Sequence, residues 1–246
     1  MANPTVQSNN GHGITSAPTL AYTTSQTAGN TNIVFLTWYN AGTVTIVDSQ
    51  SNSYTQVANA NSGGMTAWVA TGIVGGANTI TASGGFSEYN LWIGEYPASA
   101  GLRVANQVYN FGGSSTLVMG TLTGAVLNDV VAFCGFDNPG GGGTITSGAG
   151  SIGSNTAYQE FFSASYGSGL GVQAGYADGS SPMTCAFLGT AGNVWEWVAL
   201  AMKPAAAAPT GSVIFDSMNF RAEPRIVRPT LQQIHALGRP RRRRGQ

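Results

Sequence analysis

The stretch Asn32-Ile-Val-Phe-Leu-Thr-Trp-Tyr39, Asn40-Ala-Gly42, Thr43-Val-Thr-Ile-Val47, Asp48-Ser-Gln-Ser-Asn52, Ser53-Tyr-Thr-Gln-Val57 decides the fold class. Its apolar runs are rich in β-branched and aromatic residues, which suit a pleated surface, and the residues that close them, Asn, Asp, Ser and Gly, favour turns. None of the runs has the 3.6-residue spacing of an amphipathic helix. The same rhythm continues outward through apolar runs at 65–70, 78–82 and 91–96, then 116–122, 129–136, 157–164, 169–174, 183–188 and 194–202. Gly-rich breaks separate them, the longest being Asn138-Pro-Gly-Gly-Gly-Gly143. Short strands at roughly ten-residue spacing predict a sandwich or barrel. No amphipathic helix is predicted before residue 229.

Three landmarks of the first half have ordered counterparts in the second: Asn32–Phe35 with Asp129–Ala132, Thr66–Trp68 with Thr156–Tyr158, and Leu91–Ile93 with Val194–Glu196. This pattern points to an old duplication. No Pro-rich or charged linker interrupts residues 97–115, so 14–203 reads as a single sandwich domain, divisible into pseudo-repeats 14–110 and 111–203. Residues 1–13, polar and rich in Asn and Gly, read as a flexible leader. Trp38, Trp68, Trp92, Trp195 and Trp197 all lie in strand-like runs and are assigned to packing rather than to a ligand platform.

Charge divides the chain at its far end. From Met1 to Met202 there is one basic residue, Arg103, against eight acids, giving −7; from Lys203 onward nine cations face Asp216 and Glu223, giving +7. The net charge of zero hides this segregation. Lys203-Pro-Ala-Ala-Ala-Ala-Pro209 reads as a linker, and 204–246 as a linker plus basic arm. The segment 213–220 has the apolar content to add a strand to a sheet edge, and 229–238 reads as a short helix that needs a partner to be stable. The arm therefore carries the candidate partner-binding residues: the apolar anchors Phe215, Met218, Phe220, Leu231 and Ile234, and the arginines Arg221, Arg225, Arg228, Arg239, Arg241, Arg242, Arg243 and Arg244. Arginine pairs bidentately with carboxylate or phosphate, so acidic protein surfaces and nucleic acid both fit.

Charged residues make up only 8% of the chain, so solubility must rest on Ser, Thr, Asn and backbone. A Ser-His-Asp hydrolase needs a histidine fixed on the scaffold, and the two histidines, His12 and His235, fall in the leader and the arm. Carboxylates such as Glu88, Glu95, Glu160 and Glu196 are scattered rather than paired in a motif, which argues against a glycosidase. Asp48–Asn52 has oxygen side chains at alternate positions but lacks the glutamate and glycine of a calcium loop, and reads as an exposed turn. Gly140–Gly143 lacks the ending of a phosphate loop. No catalytic residues, metal site or cofactor are predicted. Cys134 and Cys185 sit in apolar runs and read as buried thiols, with a disulfide between them as the alternative, and no spacing resembles a zinc site. No basic segment precedes an apolar one near Met1, and no window approaches ~20 apolar residues, so neither a signal peptide nor a membrane span is predicted.

The series Asn32-Ile-Val-Phe35, Val47-Asp-Ser-Gln-Ser-Asn-Ser-Tyr-Thr55, Met65-Thr-Ala-Trp-Val-Ala70, Gly75-Gly-Ala-Asn-Thr-Ile-Thr81 and Glu95-Tyr96 resembles a β-sandwich module of tailed-phage virion proteins and bacterial surface proteins. That module carries an Asp-Ser-x-Gly-Asn-x-Tyr turn and a Gly-Gly-Ala-Asn-Thr strand entry; Ser51 stands where its turn has glycine. The likeness covers roughly residues 15–203, and it implies a displayed, non-enzymatic module without implying a ligand.

The fold expected is all-β, a jelly-roll-like double-sheet sandwich with an extended C-terminal arm. The function expected is that of a virion structural protein, as a capsid decoration or tail-associated subunit, anchored by its arm to other virion proteins or to copies of itself in a homo-oligomeric assembly. Two alternatives stand beside it: a lectin-like glycan-binding module, extracellular or on a cell surface, and a capsid subunit whose arginines bind nucleic acid.

Overall fold

The computed structural model describes residues 3–39, 42–60, 64–111, 116–118, 122–138, 146–147, 151–152, 155–156, 158–165, 168–179, 186–188 and 194–206. Residues 3–206 fall in one compact unit, and every described element is a strand. In the first half these are β1 (Gln7–Gly13), β2 (Thr19–Ala21), β3 (Thr31–Tyr39), β4 (Thr45–Asp48), β5 (Thr55–Ala60), β6 (Met65–Thr71), β7 (Thr79–Ser83) and β8 (Glu88–Tyr96). The second half holds β9 (Ser99–Phe111), β10 (Thr116–Val118), β11 (Val130–Asn138), β12 (Thr146–Ser147), β13 (Ser151–Ile152), β14 (Asn155–Thr156), β15 (Tyr158–Ser165), β16 (Ser168–Tyr176), β17 (Ala186–Leu188) and β18 (Val194–Pro204).

The first half forms a five-stranded sheet, β1-β8-β3-β6-β5, and a three-stranded sheet, β2-β7-β4. The second forms β9-β18-β11-β16-β15 and β10-β17-β12, with β13-β14 as an inserted hairpin. All the ladders are antiparallel. Within each half the first strand pairs with the last, the second with the next to last, and so on inward, as in a long hairpin rolled up on itself. This is jelly-roll winding. It departs from a regular roll at one point, since β5 and β15 extend the larger sheets by pairing with β6 and β16.

The larger sheets face each other. Ile33, Phe35, Met65, Ala67, Val69, Trp92 and Tyr96 from one meet Val130, Ala132, Cys134, Leu170, Val172, Val198, Leu200 and Met202 from the other in a single buried cluster. Trp92 is its largest member, with Phe35 5.6 Å away between ring centroids and Tyr96 6.3 Å. On the opposite face of the first sheet, Val34, Leu36, Leu91 and Ile93 pack with Tyr22, Ile46, Ile80, Ala82 and Phe86 beneath the small sheet. Strand β3 is therefore buried on both faces along Thr31–Thr37. That accounts for its unbroken apolar run, where a strand with one wet face would alternate. In β11 and β18 both faces are again buried, Val131, Phe133, Trp197, Ala199 and Ala201 lying opposite the shared core.

The strand orders of the two halves correspond. With Val34 set on Val131, as the sequence landmarks have it, the ladders Val34–Ile93 and Val131–Ala201 set Ile93 on Ala201 rather than on Glu196. The pairing of Thr66–Trp68 with Thr156–Tyr158 is corrected too, because the counterpart of β6 is β16. The junction lies at Pro97–Ala98 and not at residue 110, since β9 spans that boundary to pair with β18. Residues 7–13, expected to belong to a flexible leader, form β1, whose ladder to β8 runs from Gln7 opposite Glu95 to Gly13 opposite Tyr89. The sandwich also extends past residue 203: Ser99 Oγ donates to Lys203 O at 2.7 Å, and Ala205 N to Ala98 O.

Candidate functional site

The candidate partner-binding residues Phe215, Met218, Phe220, Arg221, Arg225, Arg228, Leu231, Ile234, Arg239 and Arg241–Arg244 lie outside the described residues. So do Cys185 and His235. Gly140–Gly143 and the side chains of Glu160 and Trp195 also lie outside the described residues. His12 is exposed on β1, Trp92 and Trp197 are buried, Trp38 and Trp68 are half-buried, and Cys134 is a free thiol whose burial pushes its pKa up. The indoles of Trp38, Trp68, Trp92 and Trp197 thus form no exposed platform.

The Asp48 turn is a structural hub. Asp48 Oδ1 accepts from the backbone N–H of Gln50 and Asn52, and Oδ2 from Asn52 Nδ2, Tyr54 OH and Asn78 Nδ2, at 2.8 to 3.1 Å. Partial burial works to raise this carboxyl's pKa, but the hydrogen bonds from Asn78, Asn52 and Tyr54 outweigh it and hold it below the usual range. The bonds continue from Asn78 to Gln26, Gln26 to Asn32, and Asn32 to Tyr54, closing a ring of five side chains that joins the small sheet to the large one. Glu95 is a second hub, accepting from Gln7 Nε2, Thr27 N and Asn30 Nδ2. Asp129 is a third, buried and holding Arg103 through both carboxylate oxygens while also accepting from Val126 N.

Glu196 is different. It is 1% exposed, neither carboxylate oxygen has a hydrogen-bond partner among the described residues, and burial pushes its pKa up to about 8. Half of the body's eight acids, Asp48, Glu95, Asp129 and Glu196, are thus engaged or enclosed within the sandwich. Much of the formal −7 is not surface charge.

One cleft of about 390 Å³ opens where the two halves join. Thr31 and Tyr96, at the start of β3 and the end of β8, form one wall. Asn128 and Val130 beside the start of β11, with Met202, Lys203 and Pro204 at the end of β18, form the other; Pro97–Ser99 and Tyr176 complete it. Because β3 matches β11 and β8 matches β18, the cleft sits at corresponding strand ends of the two rolls, a preferred location for ligand sites. Two features shape it. Asn128 has φ 68°, the left-handed region that Asn tolerates better than most residues, and its N–H donates to Ala177 O. The β18 ladder shifts register twice between Ala201 and Pro204, so three consecutive residues, Met202 to Pro204, line the same cleft. A regular strand, whose side chains alternate between faces, does not do this. The sequence signals of this cleft, a Pro-Ala-Ser connection and a Lys-Pro strand end, were too slight to mark it.

Among the described residues, no group of three or more His, Cys, Asp or Glu is placed to hold a metal, and no helix is long and apolar enough to cross a membrane. No protein-family model matches the sequence, and no curated protein is similar to it. The crystal structure of the PBSX exported protein XepA aligns over 82% of this chain and 88% of its own, at 11% identity and a TM-score of 0.25. A score that low carries no argument, and the architecture given above rests on the strand pairing itself.

Proposed function

We propose that the protein is a non-enzymatic virion structural component, a tandem jelly-roll body fastened to other virion proteins or to copies of itself by its basic arm. The observation that carries this reading is segregation. Residues up to Met202 hold a single cation, Arg103, already paired within the fold, while nine cations follow. A body built from two rolls, with half of its eight acids engaged or enclosed in the fold, makes a durable tile that still carries net negative charge. A chain end with eight arginines and interleaved apolar residues has the composition of a fastener. Jelly rolls recur in capsid and lectin domains, so the fold is compatible with the reading without specifying it.

The test compares full-length protein with a chain ending at Ala206, which keeps every described strand. The shortened chain should fold with unchanged thermal stability yet remain monomeric by light scattering and fail to enter particles. Normal incorporation of that chain would refute the proposal. The engagement of half of the body's acids within the fold favours a second reading, in which the arginines meet phosphates rather than a neighbouring body. Five terminal arginines on phosphates would give a log–log salt slope of about −4.5 for nucleic-acid binding.

A further inference from the structure

We propose that the cleft between the two rolls binds an apolar carboxylate: a small molecule with an aliphatic or aromatic body and one anionic head. The body is prescribed by the walls. Tyr96, Val130 and Met202 are buried there, with Pro97 and Pro204 at the margins, and the volume of about 390 Å³ lies in the range of small-molecule sites.

The head is prescribed by two polar groups. Lys203 is drawn into the lining by the double register shift, and among the described residues it makes no ion pair, whereas the other cation, Arg103, is committed to Asp129. Its backbone is fixed by the bond from Ser99 Oγ to its carbonyl, which holds the residue in the cleft lining. Thr31 is completely buried, and its Oγ1 has no hydrogen-bond partner among the described residues. A buried hydroxyl left unpaired is costly, and a ligand oxygen beside it removes that cost. A carboxylate satisfies both groups. An uncharged oxygen can accept from both but leaves the Lys203 charge unpaired, and a cationic ligand is repelled by Lys203.

The probes are decanoate, decanol and decylamine, which share one tail and differ in head, titrated into the full-length chain by calorimetry. Decanoate should bind saturably at one site, about tenfold more tightly than decanol, and decylamine more weakly still. Lys203→Met should bring decanoate down to the affinity of decanol without changing decanol itself. Thr31→Val, nearly isosteric, should weaken decanoate severalfold, with folding checked by circular dichroism. Saturable one-site binding with this head-group order and this response to Lys203→Met supports the proposal. Absence of decanoate binding, equal affinity for the three probes, or an unchanged decanoate affinity in Lys203→Met overturns it.

Discussion

Ser51 adopts φ 60° in the turn that follows β4, a conformation that costs an L-residue about 1–2 kcal/mol and glycine little. The turn holds because Asp48 anchors the backbone on both sides of it. Ser51→Gly should therefore raise stability by about 0.5–1 kcal/mol in urea denaturation, while Asp48→Ala, which strands Tyr54, Asn78 and two backbone amides, should lower it by about 3 kcal/mol. Gly94 makes the opposite case: a Cβ there would come 2.2 Å from the Trp92 ring, so Gly94→Ala should destabilise by 2 kcal/mol or more, roughly. Glu196 gives a pH signature. Its native pKa of about 8 lies above the ordinary 4.5, so between those values the native state holds a proton that the unfolded chain releases. Stability must then fall as pH rises through that window, by up to about 1.4 kcal/mol per unit. Glu196→Gln should flatten that portion of the stability–pH curve, as followed by urea midpoints at pH 5, 7 and 9.

At the scale of elements, the two large sheets are joined at their edges as well as through their faces. The Gln107 side-chain amide on β9 accepts from Asn59 N and donates to Asn59 O on β5, imitating a β-ladder across two separate sheets. Gln107→Ala should cost about 1–2 kcal/mol. Gln107→Glu should cost at least as much, because a carboxylate cannot donate to the Asn59 carbonyl. Each of the twelve apolar runs coincides with a strand, from β3 to β18. Strands β1 and β9 were not legible, since Gln-Ser-Asn-Asn-Gly-His-Gly and Ser-Ala-Gly-Leu-Arg-Val-Ala-Asn-Gln lack the pattern that burial imposes. Both are edge strands, recruited by the ladders of β8 and β18, and an edge tolerates polar residues that a centre rejects. The unbroken runs 32–36, 130–134 and 197–202 did carry a further message, strands covered on both faces, which a simple two-layer sandwich does not supply. The cleft left almost no trace because its decisive feature, the register shift near Lys203, is a property of pairing rather than of composition.

For the whole molecule, the shared core between the larger sheets is the main structural commitment. A fragment ending at Pro97 would expose Phe35, Met65, Trp92 and Tyr96 on one broad face, so it should self-associate or bind a hydrophobic dye rather than remain a native-like monomer in light scattering. The chain ending at Ala206 should instead unfold in one cooperative step, with tryptophan fluorescence and circular dichroism coinciding. Trp92→Ala should lower its stability by about 3–5 kcal/mol.

The migration of β5 onto the larger sheet also leaves β4 at the margin of the smaller one, a rim only four residues long. Rims of that kind are where foreign chains zip on and fibrils begin to grow. So few rungs, ending at an aspartate already bonded within the fold, give an intruding chain little purchase at this rim.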